Sequence, residues 1–97
     1  MSPLVGKAKQ YFASRPLTAS GFLVSTSLTI SANIKRLRLA RGLSQTDLAK
    51  RLNTSQSTIA LWESPHYLGY SLLGLSRVAF ALGVDVSDLL NKSESLT

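Results

Sequence analysis

The sequence predicts an all-α fold: five short helices over residues 31–92, preceded by an N-terminal arm that combines a helix with a strand. Three observations carry this prediction. From Ile34 onward apolar residues recur at helical spacing. Each apolar run follows a serine suited to capping (Ser31, Ser44, Ser55, Ser71), and three of the runs close on Gly42, Asn53 or Gly83, residues that tolerate a left-handed backbone. The second and third runs are separated only by Asn53–Ser55, a link so short that two helices must cross steeply there.

In chain order, Ser2-Pro3 with Leu4, Ala8, Tyr11 and Phe12 predicts a helix over about residues 3–14, ended by Arg15-Pro16. Phe22, Val24, Thr26, Leu28 and Ile30 alternate with Leu23, Ser25, Ser27, Thr29 and Ser31, a period of two that predicts a strand over about residues 22–30. A lone strand needs a partner, so this stretch is expected to pair within the chain or with a second copy. The helical period then places Ile34 and Leu37 inward, followed by Leu48, Ala49 and Leu52, and then by Ile59 and Trp62. After a linker from Ser64 to Tyr70, Leu72, Leu75, Val78, Ala79 and Leu82 form a fourth apolar stripe. A last short helix is expected from Ser87 through Leu90, with a frayed tail at residues 93–97.

Composition narrows the function. The apolar fraction of 44% supports a packed core, and the absence of cysteine excludes disulfides and thiolate metal sites and fits a reducing, cytoplasmic setting. The net charge is +6, unevenly spread: +3 over residues 1–32, +5 over residues 33–51 and −2 over residues 52–97. Such a basic concentration points to a polyanion, nucleic acid before an acidic membrane surface. No apolar run reaches the length of a membrane span. One histidine, five scattered acids and no glycine-rich phosphate loop leave no catalytic constellation, so neither an enzyme nor a metal or other cofactor is expected.

The stretch "SQTDLAKRLNTSQSTIALWE", within the frame from Ile34 to Glu63, resembles the helix-turn-helix of the lambda repressor and Cro family, also called the xenobiotic-response-element family. "SLLGLSRVAFALGVDVSDLL" is similar to that family's fourth and fifth helices, so the resemblance covers about residues 31 to 91. It implies a lambda-repressor-like five-helix domain that reads the major groove of double-stranded DNA with the helix from Gln56 to Trp62. In the family, the glutamine at Gln45 touches a phosphate and braces the glutamine at Gln56. A glutamine amide offers a donor beside an acceptor, which suits adenine N6 and N7. The resemblance assigns base contacts to Gln56, Ser57, Thr58 and Leu61. A leucine at the last position cannot hydrogen-bond but can pack on a thymine methyl. Phosphate contacts fall to Gln45, Lys35, Arg36, Arg41, Lys50, Arg51, Asn53 and Ser55, and Arg38 and Glu63 match a structural salt bridge. Departures from the family pattern are Asn53 for a glycine in the turn, Ala60-Leu61 for a polar pair, and the longer linker from Ser64 to Tyr70.

The expected function is a sequence-specific transcriptional regulator, a repressor acting as a homodimer. An alternative is an antitoxin or other protein-interaction module of a toxin–antitoxin or phage system, in which residues 1–30 engage a protein partner and DNA binding regulates the operon.

Overall fold

A computed structural model describes residues 18–92, and all of its regular structure is helical. Its five helices are α1 (Ala19–Ala40), α2 (Gln45–Arg51), α3 (Gln56–Trp62), α4 (Leu72–Leu82) and α5 (Val86–Leu90). The helix expected over residues 3–14 and the tail from residue 93 lie outside the described residues.

The strand expected over residues 22–30 is instead the first half of α1, which starts at Thr18, whose hydroxyl accepts the Gly21 N–H at 3.0 Å. The physical reason lies in which residues are buried. Ser27, Ile30, Ser31, Ile34, Leu37 and Arg38 lie inside, at three- and four-residue spacing, so small serines extend the inward stripe one turn beyond its apolar part. Phe22, Val24 and Leu28, which a strand would have placed on one covered face, stay exposed. A strand here would leave its ladder groups unpaired, whereas a helix anchored by Ile30, Ile34 and Leu37 extends backward at one internal hydrogen bond per residue. Ser31 accordingly does not cap a helix; its hydroxyl donates to the Leu28 carbonyl at 3.1 Å.

The remaining boundaries follow the local chemistry. Gly42 and Gly83 take φ of +69° and +70°, and Asn53 takes +54°, the one non-glycine with positive φ among the described residues. Behind Asn53, the Thr54 N–H donates to the Ala49 carbonyl at 2.9 Å and the Asn53 N–H to that of Lys50 at 3.2 Å, which satisfies the end of α2. Ser44 and Asp47 cap α2 reciprocally, each side chain accepting the other's N–H at 2.9 Å. Hydrogen bonding from the Ser44 backbone first, and from the Ser44 side chain second, holds the Asp47 carboxyl below its ordinary pKa. Ser55 and Ser71 open α3 and α4 by accepting from the Thr58 and Gly74 N–H groups. α5 starts one residue earlier than its sequence suggests, the Asp88 carboxylate accepting the Asp85 N–H at 2.9 Å.

The core gathers Ile30, Ile34 and Leu37 of α1, Leu48 and Ala49 of α2 with the adjoining Leu52, Ile59 of α3, Leu75, Val78, Ala79 and Leu82 of α4, and Leu89 of α5. Trp62 packs against it half-buried. Leu72 departs from the expected stripe: it is 75% exposed, and Tyr70 of the linker packs against the core instead. α2 packs mainly on α3, and α1 on α5. The second of these contacts is clasped by Asn33, buried on α1, whose amide donates to the Leu89 and Asn91 carbonyls at 2.9 and 2.7 Å. No helix among the described residues is long and apolar enough to cross a membrane.

Candidate nucleic-acid interface

The first turns of α2 and α3 meet at a small polar cluster. Gln45 and Gln56 each begin a helix directly after a capping serine, which fixes where their Cα atoms sit. The Gln56 amide nitrogen donates to the Gln45 amide oxygen at 2.6 Å. The Gln45 nitrogen donates in turn to Glu63 Oε1 at 3.2 Å. Glu63 follows the last residue of α3, and its carboxylate receives Arg38 of α1 through two bonds, from Nε at 2.6 Å and from an Nη at 2.9 Å. The side chains of this ion pair are 7% and 4% exposed. Arg38 also donates to the Leu43 carbonyl at 2.7 Å. The bonds to Glu63 outweigh the desolvation of Arg38 and raise the guanidinium pKa, so the cation is held firmly. A buried pair of this kind fixes orientation more than it adds stability.

Around this cluster the expected base readers divide. Gln56, Ser57 and Leu61 are exposed, Leu61 at 49%, while Ile59 is fully buried and Trp62 lies half in. Thr58 is half-buried, and its hydroxyl lies 2.9 Å from the Ser55 hydroxyl, so it serves the cap as well as facing outward. Ser55 and Asn53 stand exposed in the turn before α3, and Lys50 is exposed on α2.

The basic residues differ in what holds them. Lys35 and Arg36 are exposed on α1, where Arg36 donates to the Asn33 side-chain oxygen at 3.2 Å. Arg41 and Arg51 converge on the end of α4: the first donates to the Leu82 carbonyl at 2.7 Å, the second to the Ala81 carbonyl at 3.3 Å. Arg77, which the sequence reading did not single out, donates to the Leu52 carbonyl at 2.6 Å at the end of α2. These arginines sit where helix dipoles are negative and carbonyls lack helical partners. A spacing pattern gives no sign of such tethers, because the partners are backbone atoms far along the chain.

The linker behind α3 is pinned by Tyr70, whose hydroxyl donates to the Trp62 carbonyl. Its ring packs edge-on against Tyr67, with centroids 4.8 Å apart. Burial pushes the Tyr70 phenol up to about 12, against a smaller opposing effect of its hydrogen bond with Ser31. Among the described residues no three of His, Cys, Asp and Glu come together as a metal site.

This arrangement of two capped helices, a tight turn and paired glutamines over a buried ion pair defines a class. Residues 34–64 match the helix-turn-helix family model. The fold is similar to that of a hypothetical transcription factor from Neisseria, with 22% identity over 73% of this chain and 80% of that one and a TM-score of 0.67. It is also similar to part of the hydroxypropylphosphonic acid epoxidase from S. wedmorenis, with 26% identity and a TM-score of 0.64. That likeness covers 68% of this chain and only 35% of the epoxidase. No curated protein sequence matches the chain.

Proposed function

We propose that the protein is a sequence-specific regulator of transcription, a repressor that binds operator DNA as a homodimer and has no catalytic role of its own. The observation that carries this reading is the Gln45–Gln56 amide pair, set at the exposed start of α3 above the Arg38–Glu63 ion pair. Gln56, Ser57, Thr58 and Leu61 are the base readers in this proposal. Gln45, Lys35, Arg36, Lys50, Asn53 and Ser55 meet phosphates, which position the domain without reading sequence. Arg41 and Arg51 are proposed to reach phosphates only with the donors their α4 carbonyls leave free. Two-fold pairing would double the half-sites that one small module reads.

The test is selection of binding sites from a randomised duplex library, followed by affinity measurements on the winning site. Gln56→Ala is expected to cost about 1–3 kcal/mol on that site while nonspecific binding stays nearly unchanged. Equal loss on both duplexes would refute base reading by Gln56.

A second reading, an antitoxin or related protein-interaction module, draws support from one feature. Leu73 and Phe80 on the outer side of α4 are 70% and 89% exposed, and Phe80 borders an open groove of about 520 Å³ whose lining includes Arg51 and Arg77. Exposed apolar surface of this kind marks protein contacts. Copurification of a partner that Phe80→Ser releases, with operator binding intact, would favour that reading.

A further inference from the structure

We infer that Glu63 sets the reading polarity of Gln56: through Gln45 it turns the Gln56 amide so that its oxygen faces the DNA, which favours adenine and rejects guanine at one base pair. The inference rests on the DNA-reading role proposed above and names what makes that role selective.

Donors and acceptors decide which way each amide turns. An ionised carboxylate only accepts hydrogen bonds. The Glu63 carboxylate accepts two bonds from Arg38 and its side chain is 4% exposed, so a group that bonds to it from α2 must present a donor. The Gln45 amide therefore points its nitrogen inward, at 3.2 Å from Glu63 Oε1. Its oxygen is then left for Gln56, whose nitrogen must face it and does so at 2.6 Å. One proton of Gln56 is spent on that bond. What remains is the oxygen and a single N–H, a pair that matches the N6 donor and N7 acceptor of adenine. Guanine presents two acceptors, O6 and N7, so the fixed oxygen meets O6 without a proton between them. A Gln56 amide free to turn over would offer both of its protons and accept guanine. An amide alone is indifferent to a half-turn, because its two ends have nearly the same shape. The ion pair supplies the asymmetry. Glu63 touches no base in this scheme and is a positioning residue, acting over two hydrogen bonds.

The test compares the full chain with Glu63→Gln, Gln45→Leu and Gln56→Ala in the same library selection, with each fold checked by circular dichroism. Glu63→Gln gives the carboxylate position a donor as well as an acceptor and so unlocks the relay. Gln45→Leu breaks it while leaving the Arg38–Glu63 pair whole, and serves if the first variant fails to fold. In the native protein, the base pair that Gln56→Ala flattens is expected to prefer adenine over guanine by about tenfold or more. In either relay variant this preference falls to within about threefold, while preferences at the other positions persist. Side-chain amide NMR of the free protein supplies a readout without DNA: exchange of the Gln56 amide protons is expected to quicken several-fold in Gln45→Leu. Relay variants that bind with the native preference at that base pair overturn the inference alone. A native chain that enriches no duplex, yet shows the slowed amide exchange, overturns the DNA-reading role on which the inference depends.

Discussion

Leu61 shows how one side chain of α3 differs in duty from its neighbours. Ile59 and Trp62 on either side of it face the core, yet Leu61 is half exposed. Its apolar character was plain in the sequence, and so was its outward position, because the helical period puts residue 61 opposite the buried pair. Leu61→Ala is expected to weaken selection of an A·T pair at one position, where methyl packing is lost, with other positions unaffected; binding-site selection checks this. Asn53 was legible in the same way. A turn that needs positive φ accepts asparagine at modest cost and a β-branched residue at a high one. Asn53→Gly should leave stability equal or slightly raised, and Asn53→Val should lower it by about 1–2 kcal/mol in denaturant titration.

At the scale of the element, α2, α3 and α4 could be read from sequence because each begins behind a capping serine, and α2 and α4 end at residues that accept a positive φ. α1 could not. Its first half alternates apolar and small polar residues, and that pattern fits a strand as well as it fits a helix with serines on its inner stripe. Only Ser27 and Ser31 being buried distinguishes the two, and burial is a property of the neighbours. The linker from Ser64 to Tyr70 was likewise opaque, since the bond from Tyr70 to the Trp62 carbonyl joins a side chain to the backbone of α3. It makes the end of α3 sensitive to alkali. A phenol raised from 10.0 to about 12 favours its neutral form in the folded state. The stability it contributes is therefore complete below pH 10 and lost as the pH rises through about 12. Thermal melts of the native chain and of Tyr70→Phe should differ most below pH 10 and converge toward pH 12.

For the molecule as a whole, the sequence located the basic charge but not its division of labour. Counting arginines and lysines over residues 33–51 gave one cluster, yet Arg41 and Arg51 grip the carbonyl end of α4, and only tertiary contacts could reveal that. The two groups should separate experimentally. Lys50→Ala is expected to reduce the slope of log affinity against log salt by about one unit, with little change in stability. Arg41→Ala should instead cost about 1 kcal/mol of stability, read by denaturant unfolding. The candidate site itself was legible because its residues are set by helix starts eleven positions apart. Its inner wiring, from Arg38 through Glu63 to the two glutamines, depends on side-chain geometry that spacing alone cannot supply.

The unbroken run of α1 has a mechanical consequence. None of its residues from Ala19 to Thr26 is buried, yet they continue the same rod that Ile30, Ile34 and Leu37 clamp to the core. Their faces are thereby phased to the exposed start of α3 like marks on a shaft. One residue inserted between Leu23 and Val24 turns everything before it by about 100° and lifts it by about 1.5 Å, whereas seven residues restore the facing to within about 20°. Any activity carried by that end of α1 should rise and fall with insert length at the helical period, and a series of one to seven inserted alanines would display the oscillation.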